Sequence, residues 1–347
     1  MAAQIDKQMM LLRPFKALGR LLCWALVEGR PLTTKGRWIN PVVFGVYHLA
    51  QIFPSSARAH HPVYVVGTGR SGTTILGKIL SVHKDVVFLN EPKALWHYAY
   101  HDEDIIGSYS KTPGRVRLNC ADGGAATKKK LTRVYTIILR LFGSKKIVDK
   151  YPEIIFRIDF VLSLIPMARF VAITRDGVDT CASVTAWSEK HQTFADGLRS
   201  DWWGANDRKW NTLVAELIVE HRDLVDIHDD LLRTVDHRDR AAVEWIVSMR
   251  EIRSVTAKHP SVTTISYEAL CANTNEIIDQ VLQHCDLGPD RKVSEYARHA
   301  LHVAPTYPDI ELMPELVQPF KNTLVEMGYS GSVDRVHSRV TSRPQQK

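Results

Sequence analysis

The sequence predicts a three-layer α/β fold, a central parallel β-sheet of about five strands flanked by helices. Three observations lead there. Short apolar, β-branched runs recur along the chain, a polar cluster follows each of them, and each cluster gives way to a segment with helical spacing. With 347 residues and 45% hydrophobic composition, the chain can bury the core such a domain needs.

Residues 1–58 come first and read as helical. They carry eight Lys/Arg against Asp6 and Glu28, interleaved with Phe15, Leu21, Leu22, Trp24 and Leu26. That pattern suits an anionic surface, so the segment is expected either to make a peripheral membrane contact or to pack as a helical layer on the domain. The apolar run from Leu21 to Val27 is too short for a signal peptide. The uncharged stretch from Trp38 to Ala57 holds Asn40, Pro41, His48, Gln51 and Pro54, which makes it a poor membrane span.

A single large domain is expected over 59–329. Strands are predicted at Val63 to Gly67, Val86 to Leu89, Ile147 to Asp149, Phe170 to Thr174 and Val262 to Ser266, where apolar runs stop at turn residues. Between them, apolar spacing predicts helices at Gly72 to Val82, Pro152 to Leu164, Val178 to Glu189, Asn206 to Leu232, Ala241 to Ala257, Thr274 to Cys285 and Glu311 to Met327. Gly107 to Lys130 reads as a long loop or lid. Residues 330–347 are polar and basic with no apolar period, and they are expected to form a disordered tail.

Lys and Arg outnumber Asp and Glu by 45 to 38, and the excess is uneven. Residues 111–150 carry eleven Lys/Arg against Asp122 and Asp149, which suits either an anionic ligand or a solvated loop. Five scattered cysteines (Cys23, Cys120, Cys181, Cys271, Cys285) with no C-x-x-C pair argue for a reducing compartment, against a disulfide framework and against a zinc site.

Chemistry is first sought at Gly67-Thr68-Gly69-Arg70-Ser71-Gly72-Thr73-Thr74. This turn joins the first strand to a helix, and its amides, reinforced by the helix dipole, make a cradle for phosphate or sulfate. Three readings compete. The octapeptide satisfies G-x-G-x-x-G, with Glu91 placed 19 residues after Gly72 like a ribose-binding acid. It also nearly satisfies the nucleotide P-loop, but Thr73 stands at the lysine position, which weakens a Mg-dependent kinase or phosphotransferase. Arg70 and the hydroxyls of Ser71, Thr73 and Thr74 favour a P-loop-like oxyanion cradle distinct from both.

A second anion site separates the readings. The strand ending at Thr174 delivers Arg175, and the helix that follows carries Ser183 two turns along, so both can converge on one phosphate. A donor such as 3'-phosphoadenosine-5'-phosphosulfate (PAPS) requires that site for its 3'-phosphate. NAD does not.

The Gly67–Thr74 turn, Asn90-Glu91-Pro92, Asp149-Lys150-Tyr151-Pro152, the Arg175 to Ser183 segment and Tyr267-Glu268-Ala269-Leu270 resemble, in order and spacing, the PAPS-dependent sulfotransferase family over about 62–287. A weaker echo lies in Phe320 to Tyr329. The likeness is to the glycan and tyrosylprotein branch with its bacterial relatives. The cytosolic small-molecule branch has lysine in the first loop and a catalytic histidine near the second, where this chain has Arg70 and Tyr151.

The resemblance implies sulfuryl transfer from PAPS to a hydroxyl-bearing acceptor, with Glu91 as general base, Lys150 as the cation at the bridging oxygen and Arg70 holding sulfate and 5'-phosphate. Gly69, Arg70, Ser71, Gly72, Thr73, Thr74, Arg175, Ser183 and Tyr267 would bind the donor, and no metal is needed. A small-molecule kinase is the alternative. Trp96, Tyr98, Tyr100 and Tyr109 crowd the segment where an acceptor would enter, as sugar-stacking groups or as core. The His- and Asp-rich stretch from Glu220 to Arg240 reads as a charged helix face, and a nucleic-acid partner is not expected. A cytoplasmic location is expected, with residues 1–58 as the segment that would touch a membrane surface.

Overall fold

The computed structural model describes residues 2–32, 34–195, 198–303 and 306–339. The N-terminal segment forms helices α1 (Lys7–Leu12), α2 (Pro14–Leu26) and α3 (Asn40–Ala50). They belong to the body of the molecule. Cys23, Val27, Val43 and Tyr47 are in the main core, Arg13 pairs with Asp290, and Glu28 binds both Arg20 and the Asn90 amide. Among the described residues no helix is long and apolar enough to cross a membrane.

The chain then runs β1 (Val63–Gly67), α4 (Thr73–Ser81), β2 (Val86–Asn90), α5 (Lys93–Ala99), α6 (Ala125–Leu141), β3 (Lys146–Lys150), α7 (Ile158–Leu164), β4 (Arg169–Thr174) and α8 (Gly177–His191). A short antiparallel group follows, β5 (Thr193–Ala195), β6 (Leu198–Asp201) and β7 (Gly204–Ala205). Next come α9 (Arg208–Glu216), α10 (Arg222–Val225), α11 (His228–Arg233), α12 (His237–Lys258), β8 (Val262–Ser266), α13 (Tyr267–Ala272), α14 (Thr274–His284), α15 (Arg291–Ala300), β9 (Ile310–Leu312), α16 (Pro314–Glu326) and β10 (Val336–Ser338).

The five predicted strands form one parallel sheet in the order β2-β3-β1-β4-β8. The fold is therefore α/β and P-loop-like, with β1 at the centre and its side chains buried on both faces. One core lies on each side: Tyr64 and Val66 face Trp96, Tyr135 and Trp245, whereas Val63 and Val65 face Leu76, Ile79 and Leu80. Alternation along β1 sends successive side chains to opposite layers.

Four predicted segments need correction. The helix expected from Asn206 to Leu232 is three short helices, and it starts at Arg208 because Asn206 and Asp207 hold left-handed backbone, which Asn and Asp tolerate. The helix expected from Glu311 starts at Pro314, since Ile310–Leu312 pairs with Val336–Ser338 as a two-stranded sheet. That pairing also orders the front of the expected tail, where Ser330–Arg335 is a 3-10 helix and Arg335 binds Asp179; residues 340–347 lie outside the described part. The expected lid gives way to α6 from Ala125.

Candidate active site

Parallel register brings the carboxyl ends of the strands level. Val65 pairs with Lys150, Asn90 with Lys150, Gly67 with Ile173, and Thr174 with Ser266. Each strand therefore releases one predicted residue at the same edge: the Gly67 turn after β1, Glu91 after β2, Lys150 at the end of β3, Arg175 after β4 and Tyr267 after β8. This edge, on both sides of β1, is where chain connections diverge and a crevice opens.

A cavity of about 600 Å³ occupies the crevice, a size suited to a nucleotide. Gly69, Arg70, Gly72, Thr73, Thr74, Glu91, Lys150, Arg175 and Tyr267 all line it. Gly72 precedes α4 with φ of +100°, and a Cβ there would come within 2.5 Å of the Tyr267 ring, so only glycine fits. The first-turn amides of α4 consequently sit at the cavity wall. A Cβ on Gly69 would collide with Trp202 of the β6–β7 turn.

Two predicted residues lie differently. Ser71 is fully buried and donates its hydroxyl hydrogen to the Thr68 carbonyl at 2.5 Å, so it shapes the turn and is not on the cavity wall. Ser183 is also off the wall; it accepts from Arg70 Nε at 3.1 Å. Arg175 donates to the Arg70 carbonyl at 3.2 Å and its guanidinium lies 5.1 Å from the centre of the Tyr267 ring. Arg70, Arg175, Ser183 and Tyr267 thus form one group, and the Arg70 side chain, expected to hold sulfate and 5'-phosphate, stands instead with Ser183, the residue expected at the 3'-phosphate.

Glu91 and Lys150 form the other group. The Lys150 ammonium, buried, lies 2.5 Å from Glu91, whose side chain is 38% exposed. Lys93 stands 3.8 Å from Glu91 and 3.4 Å from Glu153; Lys209 stands 3.6 Å from Glu153 and 2.6 Å from Glu244. Glu244 in turn accepts from the Trp202 indole at 2.7 Å. Alternating charges therefore run from Glu91 along the cavity to Trp202. Partial burial raises the Glu91 carboxyl, but the charges of Lys150 and Lys93 outweigh it and hold the carboxyl below its ordinary value. Glu153 is likewise opposed by burial yet drawn down to about 2 by Lys93 and Lys209.

Lys93, Glu153, Lys209, Glu244 and Trp202 were not anticipated from the sequence. Lys93 and Glu153 each lie within three residues of a predicted site residue, which was the available signal. Conversely, Trp96, Tyr98, Tyr100 and Tyr109 do not line the cavity. Trp96 is buried in the core and donates to Asp149, and Tyr98, Tyr100 and Tyr109 are half-buried against that core, on Tyr47, Phe160 and Phe44. Trp187 does reach the cavity, edge-on to Trp202 with ring centres 5.2 Å apart.

Residues 62–290 match the model of the sulfotransferase family. No curated protein matches the chain. Among solved structures, the sulfotransferase STF9 from Mycobacterium avium is similar with 12% identity and TM-score 0.47, covering 98% of each chain. STF1 from Mycobacterium tuberculosis has 15% identity and TM-score 0.43 over 85% of this chain and 87% of that one. A sulfotransferase from Alicyclobacillus acidocaldarius has 13% identity and TM-score 0.40 over 81% and 98%.

Proposed function

The chain belongs to the sulfotransferase family, and on that premise we propose that it moves the sulfuryl group of PAPS to a hydroxyl of an acceptor, with Glu91 as general base. The observation that carries this reading is a pair of groups at one sheet edge whose chemistry suits anions, the α4 N-terminus with its glycine turn and the Arg175–Arg70–Ser183 cluster beside it. A nucleotide phosphorylated at both 3' and 5' positions can engage both. A nucleoside triphosphate leaves the second without a partner.

In the transfer, the acceptor oxygen forms its bond to sulfur as the bond from sulfur to the 5'-phosphate oxygen breaks, and 3',5'-bisphosphoadenosine departs. The acceptor proton passes to Glu91, which its two lysine neighbours keep ionised. Lys150, buried at the end of β3, supplies positive charge to the leaving oxygen, where charge accumulates. Thr73, Thr74 and the loop amides orient the transferring group, and Arg175, Arg70, Ser183 and Tyr267 hold the 3'-phosphate end. Ser71 acts through the shape of the turn. Positioning and charge account for the catalysis, and no metal is assigned a part.

All five cysteines are free thiols, which supports a reducing compartment such as the cytoplasm. Mass spectrometry of products formed from PAPS and a panel of hydroxyl acceptors tests the proposal. Glu91→Gln should retain donor affinity while turnover falls by roughly 100- to 10,000-fold, the usual worth of a general base. Equal losses in affinity and turnover would remove Glu91 from that role.

A further inference from the structure

The N-terminal helices have one face buried and one face that is apolar and open. α2 buries Ala17, Arg20 and Cys23, while Phe15, Leu18, Leu22 and Leu26 follow the opposite face at intervals of three or four residues, all exposed, Phe15 at 87%, and Leu11 at the end of α1 is exposed as well. α3 repeats the division. It buries Val43, Tyr47 and Ala50, and leaves Val42 and Leu49 exposed together with flanking Trp38, Ile52 and Phe53, Trp38 at 80%. A layer whose sole task was to cover the sheet would carry polar residues outside. Beside α2 a groove of about 230 Å³ extends the apolar surface to Phe88, Leu141 and Phe142.

Charge identifies what fits there. The two acids of residues 1–58 are both used internally, Glu28 with Arg20 and Asp6 with Lys78 and Tyr296. Lys7, Lys35, Arg37 and Arg58 are exposed, so every exposed ionic group among the described residues of this segment is a cation. A second copy of the same face would meet like charge. Apolar side chains flanked by cations are what an anionic bilayer surface attracts, by burial of the former and Coulombic attraction of the latter.

We propose that the open face of α2 and α3 docks the protein on an anionic lipid surface. The two helices are joined through Glu28, Gly29, Arg30, Pro31 and Leu32, which line the same cavity as Glu91. Docking therefore anchors the two helices whose connection forms part of the cavity wall.

Vesicle flotation of the full chain tests it, with phosphatidylcholine alone and with phosphatidylcholine mixed with phosphatidylglycerol. The wild-type protein should float with the anionic vesicles and much less with the neutral ones. Phe15→Glu combined with Trp38→Glu should cut flotation more than tenfold, with an unchanged thermal melt and unchanged binding of 3',5'-bisphosphoadenosine. Those two controls separate loss of docking from loss of fold or of the donor site. The proposal is overturned if the wild-type protein does not float, if the double variant floats as well as wild type, or if sedimentation shows a wild-type dimer that the double variant dissolves.

Discussion

Glu91 stands between two ammonium groups, and that placement sets how its basicity responds to pH. Its carboxyl is held below the ordinary 4.5, so it stays ionised to lower pH than an ordinary glutamate does. The rate of sulfuryl transfer should show no acid limb between neutrality and about pH 5 that belongs to this group. Lys93→Met removes one of the two charges and leaves the burial, so the acid limb should move to higher pH. An unmoved profile in a folded variant would contradict the Lys93 contribution. Arg175 invites a different comparison: Arg175→Ala should weaken 3',5'-bisphosphoadenosine by at least tenfold more than it weakens adenosine 5'-phosphosulfate, which has no 3'-phosphate. Calorimetric titration of both ligands reads this, and an equal loss would remove Arg175 from the 3' site.

The five sheet strands were legible because each is a β-branched apolar run closed by turn residues, and each begins and ends within one residue of the expectation. Short antiparallel strands were not. Thr193–Ala195, Leu198–Asp201 and Gly204–Ala205 are too brief to show an apolar alternation, yet their turn carries Trp202 onto Gly69. The charge ladder was hidden for another reason: the Glu91–Lys93 stretch, Glu153, Lys209 and Glu244 are far apart in the chain and meet only in space. β3 also conceals a tension. Asp149, next to Lys150, is completely buried, and burial raises its carboxyl to about 7 although Trp96 and Tyr135 donate to it at 3.0 and 2.9 Å. From about pH 4 to 7 the folded state keeps a proton that the unfolded state releases, so stability falls as pH rises through that window. Asp149→Asn, which keeps an acceptor oxygen for both donors, should raise the melting temperature more at pH 8 than at pH 5, by roughly a few degrees. The same shift at both pH values would refute a buried ionisation.

Across the whole molecule, the sheet order could not be read from sequence, because strand periodicity says nothing about which strands become neighbours. Once formed, the order β2-β3-β1-β4-β8 places Glu91 and Lys150 on one flank of the glycine turn and Arg175 and Tyr267 on the other. The N-terminal layer likewise gave no sequence sign that it would wall the cavity, since Glu28 and Arg30 reach it only through packing of α2 against the sheet. One bisphosphorylated nucleotide must span both flanks, and calorimetric titration with 3',5'-bisphosphoadenosine in a buffer with chelator tests that directly. Binding on the order of micromolar, together with no heat from ATP or NADH, is the predicted result. Tight binding of Mg-ATP with none of the bisphosphate would contradict it.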